Sequence, residues 1–191
     1  MSRTHKSYQN PLLRIVVGIS IACSACCAQT YVLRPVLIDR NLAVAVSQIM
    51  VTTPKGWQIH NSNFSYAISF RPVECESDCP LLRAEVYHLN SRQPRSEAGQ
   101  ASQYLDGVHR HDDESVIMEP VSSLYIGRKN ELKVYRFHSK WFGEHLVVFL
   151  VKEDLMDIAE LTGNNFVELY NRLTGLQELA ATVWSSMKGH S

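Results

Sequence analysis

Residues 131–152 read ELKVYRFHSKWFGEHLVVFLVK, and this stretch decides the fold that the sequence predicts. Two runs rich in β-branched, aromatic and aliphatic residues, 131–139 and 144–152, flank a short connection that ends in Gly143. Two such runs around a short glycine-containing connection are typical of an antiparallel β-hairpin. From His145 to Val151 the chain is apolar on both faces, which indicates a central strand covered on both sides of its sheet.

Further strands extend this hairpin into a larger sheet. Residues 115–126 precede the hairpin across a turn at 127–130, and they complete a meander of three strands. Upstream, three more strands are predicted at residues 42–51, 64–70 and 81–89. In the second of these the alternation of side chains places four of them on one face: Phe64, Tyr66, Ile68 and Phe70.

Two segments have the apolar spacing of helices. The first has apolar residues at positions 98, 101, 105 and 108, with Ser96 as its N-cap, and the charged run 109–114 is expected to end it. The second covers residues 166–187 and follows a pair that resembles a capping box, Asn165 and Glu168. An apolar stripe of this length is typical of a helix packed on a sheet, and a partner-binding helix is the alternative.

The order of these elements predicts an α+β fold. We expect a mainly antiparallel, twisted sheet flanked by helices, with the long C-terminal helix packed on the sheet. The length of 191 residues is typical of one domain. Residues 42–191 are therefore interpreted as a single domain, and residues 29–41 as an extended lead-in.

The first 28 residues have the layout of a secretory signal peptide. Three basic residues, Arg3, Lys6 and Arg14, precede a short apolar core at 15–22. Small residues follow up to residue 28, so we expect cleavage there and export to the periplasm. The alternatives are an uncleaved N-terminal anchor and an outer-membrane lipoprotein acylated at Cys23 or Cys26, each of which follows a small residue.

Composition limits the classes of function. The chain has 19 basic and 19 acidic residues, and residues 1–28 hold three of the basic residues and none of the acidic ones. The rest of the chain therefore carries a net charge of −3, which argues against a polybasic nucleic-acid binder. With 45% hydrophobic and 20% charged residues, the chain does not have the composition of a disordered protein.

Two cysteines follow the signal segment, Cys75 and Cys79. Three residues separate them, whereas a thioredoxin-type redox pair has two. In an oxidising compartment their proximity predicts a small structural disulfide that holds a loop.

Histidines and acidic residues supply the candidate metal ligands. His109, His111 and Asp112 lie within one polar run, and three other histidines, at positions 88, 138 and 145, are candidates to approach it in the fold. A zinc site needs three or four converging ligands, which a linear run does not show, so a solvated loop is the alternative. The sequence lacks a Gly-x-Ser-x-Gly elbow and a glycine-rich phosphate loop, and we predict no catalytic residue and no cofactor.

The hairpin connection carries two aromatic residues, Trp141 and Phe142. Aromatic residues in a turn either cover the edge of a sheet or anchor a partner, because Trp and Tyr dominate the hot spots of interfaces. These two residues are the candidate partner-binding positions of the sequence.

The chain resembles the PsbP-like superfamily over residues 42–187. The resemblance rests on Gly56 and Trp57 before the alternating run 64–70, on the meander at 131–137 and 144–149, and on a helix that closes at 183–186. It implies an α/β/α sandwich and a binding or assembly role instead of catalysis. The chain departs from the photosynthetic members at its two-cysteine loop and its run 109–114, so their partners and metal sites are not carried over.

These observations favour an exported periplasmic binding module that is not an enzyme and recognises a protein partner. Size and compartment are also similar to those of immunity proteins that neutralise a secreted toxin, so the partner is a toxin or a component of the cell envelope. No nucleic-acid partner is expected. Attachment to a membrane is expected only if the chain is lipidated. The alternatives are a metal-dependent hydrolase that uses His109, His111 and Asp112, and a lipoprotein that acts as an assembly factor.

Overall fold

The computed structural model describes residues 28–37, 48–111, 115–140 and 143–188. Four sequence predictions concern residues outside these ranges and stay predictions: the signal peptide with its candidate acylation sites, the part of the first strand at 42–47, the placement of Asp112, and the aromatic pair Trp141 and Phe142. Within the described ranges, no helix is both long and apolar enough to cross a membrane.

The described chain forms ten strands and three helices. The strands are β1 (Thr30–Leu33), β2 (Val36–Leu37), β3 (Ile49–Thr52), β4 (Trp57–Phe64), β5 (Ala67–Pro72), β6 (Leu81–His88), β7 (Glu119–Ile126), β8 (Asn130–Ser139), β9 (Gly143–Lys152) and β10 (Leu155–Gly163). The helices are α1 (Glu97–His111), α2 (Phe166–Asn171) and α3 (Leu173–Lys188).

Most strands belong to one large antiparallel sheet. Its order is β4-β5-β6-β10-β9-β8-β7, β2 joins β6 as the parallel member, and β1 and β3 form a separate two-stranded ribbon. The predicted meander of β7, β8 and β9 is confirmed, with Tyr135 opposite Val147 in the central hairpin. Residues 145–150 of β9 are all buried, which confirms a central strand covered on both faces.

Different elements cover the two faces of this sheet. On one face α3 and the β1–β3 ribbon pack over a core that includes Phe70 and Leu146. On the other face α1 packs over a second core, which includes Ala101 and Phe149. The predicted α+β fold, with helices flanking a mainly antiparallel sheet and a C-terminal helix packed on it, is therefore confirmed.

Helix α3 approaches the sheet most closely at Gly175. A Cβ at this position would lie 2.5 Å from Nε1 of Trp57, so a side chain here would collide with the indole. This contact explains a glycine inside a helix, where it costs about 1 kcal/mol relative to alanine. The guanidinium of Arg172 lies 6.0 Å from the centre of the same indole ring.

The prediction of a single strand over residues 64–70 is wrong. The chain reverses at Ser65 and Tyr66, so that β4 ends at Phe64 and β5 begins two residues later, with Phe64 opposite Ala67. Phe64 is 54% exposed, whereas Phe70 is fully buried. Neither turn residue is Gly, Pro, Asn or Asp, so the alternation contained no sign of the reversal.

Strand β10 was not predicted. It follows β9 through a two-residue turn in which Glu153 has a φ of 55°. Two acidic residues inside β10, Asp157 and Glu160, interrupt its apolar pattern although both are buried. The apolar pattern of the sequence therefore did not predict a strand here, although most residues of β10 are buried in the sheet.

Three other boundaries differ from those predicted. Of the strand expected at 42–51, residues 42–47 lie outside the described ranges, and β3 begins at Ile49 and ends at Thr52. The final helix is divided at Arg172 into α2 and α3, and Asn165 caps α2 by accepting from the N–H groups of Val167 and Glu168 at 2.8 and 3.4 Å. Residues 109–111 form the last turn of α1 instead of a break, a position where basic residues interact favourably with the helix dipole.

Other local predictions are confirmed. Strand β6 matches the run predicted at 81–89. The hydroxyl of Ser96 accepts from the N–H of Gly99 at 3.2 Å, as an N-cap does. Cys75 and Cys79 form the predicted disulfide, with their Cα atoms 5.7 Å apart, in the loop that joins β5 to β6.

Replacing both cysteines by serine should lower the free energy of unfolding by about 2 kcal/mol, because a crosslink around so short a loop removes only a small part of the entropy of the unfolded chain. Urea denaturation with and without dithiothreitol measures this change. The reductant should lower the stability of the natural protein to that of the double variant and leave the variant unchanged. Equal stability of the two proteins under oxidising conditions would contradict a structural role for the disulfide.

Candidate functional site

Helix α1 covers only part of its face of the sheet. The residues of β8, β9 and β10 beneath it are apolar and buried, among them Phe137, Phe149 and Ile158. On the same face β6 carries Arg83 and Glu85, and the side chain of Arg83 is 44% exposed. The opposite face of β6 is apolar and belongs to the core under α3. Because successive side chains of a strand point to opposite faces, β6 presents a polar surface on the side of the sheet that α1 covers in part.

A groove runs between α1 and this polar surface, and we call it the α1 groove. A cavity of about 120 Å³ opens within it. The helix contributes Gln100, Gln103, Tyr104 and Arg110 to the cavity lining, and the sheet contributes Phe149, Met156 and Ile158. The register of β10 on β6 places Tyr87 opposite Met156, Glu85 opposite Ile158 and Arg83 opposite Glu160, so β6 is the strand next to the floor of the cavity on this face.

Glu160 is the centre of a buried polar cluster at the border of this groove. Nδ1 of His145 donates to its Oε1 at 2.7 Å, and the hydroxyl of Tyr104 donates to the same oxygen at 3.2 Å. His145 is 6% exposed and stacks on Phe137 with ring centres 4.2 Å apart. Burial, reinforced by the charge of Glu160, raises the pKa of Tyr104 far above its usual range, so its hydroxyl remains a donor.

Glu85 is the centre of a second cluster, on β6. It accepts from the hydroxyl of Tyr87 at 2.7 Å and forms an ion pair with Arg83. Burial and the charge of Glu85 raise the pKa of Tyr87 far above its usual range. An aromatic row continues from Tyr87 to Tyr66 and Phe64, with 5.7 Å between successive ring centres. Strand β6 therefore carries fixed charges next to an aromatic cluster.

The sequence-predicted metal ligands are not brought together. His109 and His111 lie two residues apart on α1, a spacing that points side chains to different sides of a helix. Nε2 of His109 donates to the carbonyl oxygen of Val116 at 2.7 Å. Each of the other candidate histidines lies beside its own carboxylate: His88 beside Asp154, His138 beside Glu144 and His145 beside Glu160. Among the described residues no group of three metal-type ligands converges.

A wider depression of about 550 Å³ lies at the far end of α1. It is bordered by Ser115, Val116, Ile117, His138 and Lys140, and Ile117 is 76% exposed. The predicted partner-binding aromatics follow Lys140 directly in the chain but lie outside the described residues. Every residue that lines the cavity of the α1 groove, in contrast, lies within the described ranges.

Sequence reasoning missed the α1 groove. One signal was present, since Arg83, Glu85 and Tyr87 alternate with apolar residues along a predicted strand and thus mark a polar face. Which helix lies beside that face is not readable from a local pattern. The pairing of Tyr104 with Glu160 spans 56 residues and depends on the unpredicted strand β10.

The opposite face of β10 holds Asp157, a carboxylic acid of a different kind. It is fully buried in the layer beneath α3, and no side chain of a described residue donates a hydrogen bond to it. Burial, with the nearby charge of Glu85, raises the pKa of Asp157 well above its usual value, and the backbone of Glu85 offsets only part of this. Asp157 lies away from the groove and affects stability.

Comparisons with known proteins support the architecture only. No family model matches the chain, and no curated protein matches it. Among solved structures it is similar to the solution structure of cyanobacterial PsbP (CyanoP) from Synechocystis sp. PCC 6803, with 13% sequence identity and a TM-score of 0.48. The match covers 90% of this chain and 96% of that chain. The PsbP-like resemblance of the sequence is thus confirmed as a weak architectural one, without consequence for what this chain binds.

The hydrogen bond from Tyr104 to Glu160 should contribute measurably to stability. Replacing Tyr104 by phenylalanine should lower the free energy of unfolding by about 1.5 kcal/mol, because a buried hydrogen bond to a charged acceptor is lost. Chemical denaturation measures the change. The matched control is Tyr125→Phe, because Tyr125 is 57% exposed on β7 and its change should stay below about 0.5 kcal/mol. Equal effects of the two substitutions would contradict a stabilising role for the hydrogen bond between Tyr104 and Glu160.

The buried Asp157 should make the protein less stable as the pH rises. The unfolded chain loses this proton near pH ~3.9, whereas the folded protein keeps it to a higher pH. The free energy of unfolding should therefore fall from about pH 4 upward, through the raised pKa of the folded state. Asp157→Asn should remove this contribution, and Asp78→Asn, at an exposed loop position, should not. Parallel pH profiles for Asp157→Asn and the natural protein would contradict the assignment.

Proposed function

We propose that this protein is an exported binding module that is not an enzyme, and that it recognises a protein partner through the α1 groove. The observation that carries the proposal is the groove itself, which has an apolar floor of Met156 and Ile158 and polar walls. Apolar clefts with a few fixed polar groups are typical of binding sites. Export rests on the layout of residues 1–28.

Two carboxylates beside the groove are paired within the protein before any partner binds. Glu160 is held by two donors, and Glu85 is held by Tyr87 and Arg83. A carboxylate in such a setting is a fixed element of charge complementarity, because its orientation does not change when a partner arrives. This arrangement supports recognition in preference to proton transfer.

The edges of the sheet favour the groove over strand addition as the mode of binding. The two outer strands, β4 and β7, both have irregular registers with their neighbours, near Asn61 and near Pro120. Bulged edges are poor templates for an added strand. The strands that line the groove already use their backbone groups within the sheet, so side chains would recognise the partner.

Site-specific photo-crosslinking in producing cells tests this proposal. A photoreactive amino acid in place of Ser69, which lies on β5 opposite Arg83 of β6, should give an adduct with one discrete protein. The same photoreactive amino acid in place of Arg128, which is exposed in the turn between β7 and β8, should give no such adduct. Adding Arg83→Ala should weaken the adduct at Ser69, because the substitution removes a charge from the groove wall, and Arg128→Ala should leave it unchanged.

The captured protein distinguishes the finer versions of the proposal. A secreted toxin would support an immunity protein, and an envelope component on a chain acylated at Cys23 or Cys26 would support a lipoprotein assembly factor. Equal adducts at Ser69 and Arg128, or none at Ser69, would contradict binding at the α1 groove. Saturable turnover of a substrate that disappears with Glu160→Gln would contradict the role of a binding module.

A further inference from the structure

The cavity of the α1 groove combines three different surfaces within a small space. Its floor is apolar and is formed by Phe149, Met156 and Ile158. Oε1 of Gln103, on the helix wall, is buried and accepts no hydrogen bond from a described residue. A buried acceptor without a donor is unfavourable, so a ligand with an N–H group would gain from pairing with it once the Gln103 amide rotates into the cavity. Arg110 adds a cation at the rim.

The side chain of Arg110 is held over the groove. Its Nε donates to the carbonyl oxygen of Asp106 at 3.0 Å, which turns the side chain back along α1 toward the cavity. No carboxylate of the described residues lies within ion-pair distance of its guanidinium. The planar guanidinium matches a carboxylate in geometry and charge.

Gly107 leaves open space between these groups. It lies on the same face of α1 as Gln103 and Arg110, which are four residues before it and three residues after it. A Cβ at Gly107 would have no atom within 4 Å, so there is open space beside the helix between Gln103 and Arg110. A ligand can therefore reach the apolar floor while it contacts both polar groups of the helix.

We propose that the cavity binds the C-terminal residue of the partner polypeptide. Its aliphatic side chain would lie on the apolar floor, its main-chain N–H would donate to Oε1 of Gln103, and its free carboxylate would pair with Arg110. An internal segment of a chain has no main-chain carboxylate. A C-terminal residue carries its carboxylate, its N–H and its aliphatic side chain on one Cα, and so presents all three groups within the span of a single residue. The inference rests on the proposed function, because it specifies what the partner presents to the α1 groove.

The size of the cavity limits the size of the ligand side chain that it can hold. A dry apolar cavity of about 150 Å³ accommodates benzene. The present cavity of about 120 Å³ accommodates a four-carbon side chain such as that of leucine, and an indole or phenol is too large for it. The expected partner therefore ends in Leu, Ile or Val.

Titration of the isotopically labelled full chain by NMR tests the inference with acetyl-Gly-Ser-Ala-Leu as the probe. The peptide with a free carboxylate should give saturable shifts at Gln103, Gly107 and Arg110. The same peptide with a C-terminal amide should bind at least about tenfold more weakly, because the charge-assisted pair with Arg110 is lost. Arg110→Gln should reduce the affinity for the free acid to that for the amide, and Arg128→Gln should change neither.

A second variant separates loss of binding from loss of the fold. Gly107→Leu should abolish binding of both peptides, because the new side chain occupies the open space between Gln103 and Arg110. Leucine also has a higher helix propensity than glycine, so the melting temperature of this variant should stay equal or rise. Undiminished binding by Gly107→Leu would overturn the placement of the ligand.

Three other outcomes would overturn the inference. Equal affinity for the acid and the amide would exclude recognition of the carboxylate, and no shift at millimolar peptide would exclude a C-terminal ligand. Acetyl-leucine that binds as tightly as the peptide would assign the site to a free acylated amino acid instead of a polypeptide end. If the peptide fails while the adduct at Ser69 persists, the proposed function stands and the inference falls; if both fail, both fall.

Discussion

The width of the sheet relative to the helix that covers it is the constraint on which the rest of the structure depends. A helix with its side chains is about 10–12 Å across, and neighbouring strands are about 4.8 Å apart, so one helix covers two to three strands. Helix α1 covers the central strands of a sheet seven strands wide. The part of this face formed by β5 and β6 carries the polar residues Ser69, Arg83 and Glu85, of which Arg83 is the most accessible to solvent.

The border between the covered and the open part of this face is where charged groups meet the core. Glu160 is almost fully buried there, and it is accommodated by donors from α1 and from β9. Asp157, three residues earlier on the opposite face of β10, has no side-chain donor among the described residues, and burial raises its pKa instead. One strand thus shows both ways in which a protein accommodates a buried carboxyl group, by hydrogen bonding or by neutralisation.

Sequence patterns predicted those strands and helices whose buried residues recur with the regular spacing of a strand or a helix. The hairpin at 131–152 and β6 follow from alternating or continuous apolar residues, and the cap at Asn165 follows from its side chain. The pattern failed at Tyr66, where the chain reverses without a turn residue, and at β10, where buried acids interrupt the strand. In both places contacts with distant strands, and not local preference, hold the backbone.

The sequence by itself determined the α+β class, the central hairpin, the short disulfide and a C-terminal helix packed on the sheet. These features depend on local periodicity, spacing and capping, which are properties of neighbouring residues. Only the tertiary structure decided that Tyr104, His145 and Glu160 meet, that His109 and His111 do not form a metal site with the other described histidines, and that a groove opens beside α1. Those features depend on strand order and on the placement of one helix across the sheet, and contacts between residues far apart in the chain determine both.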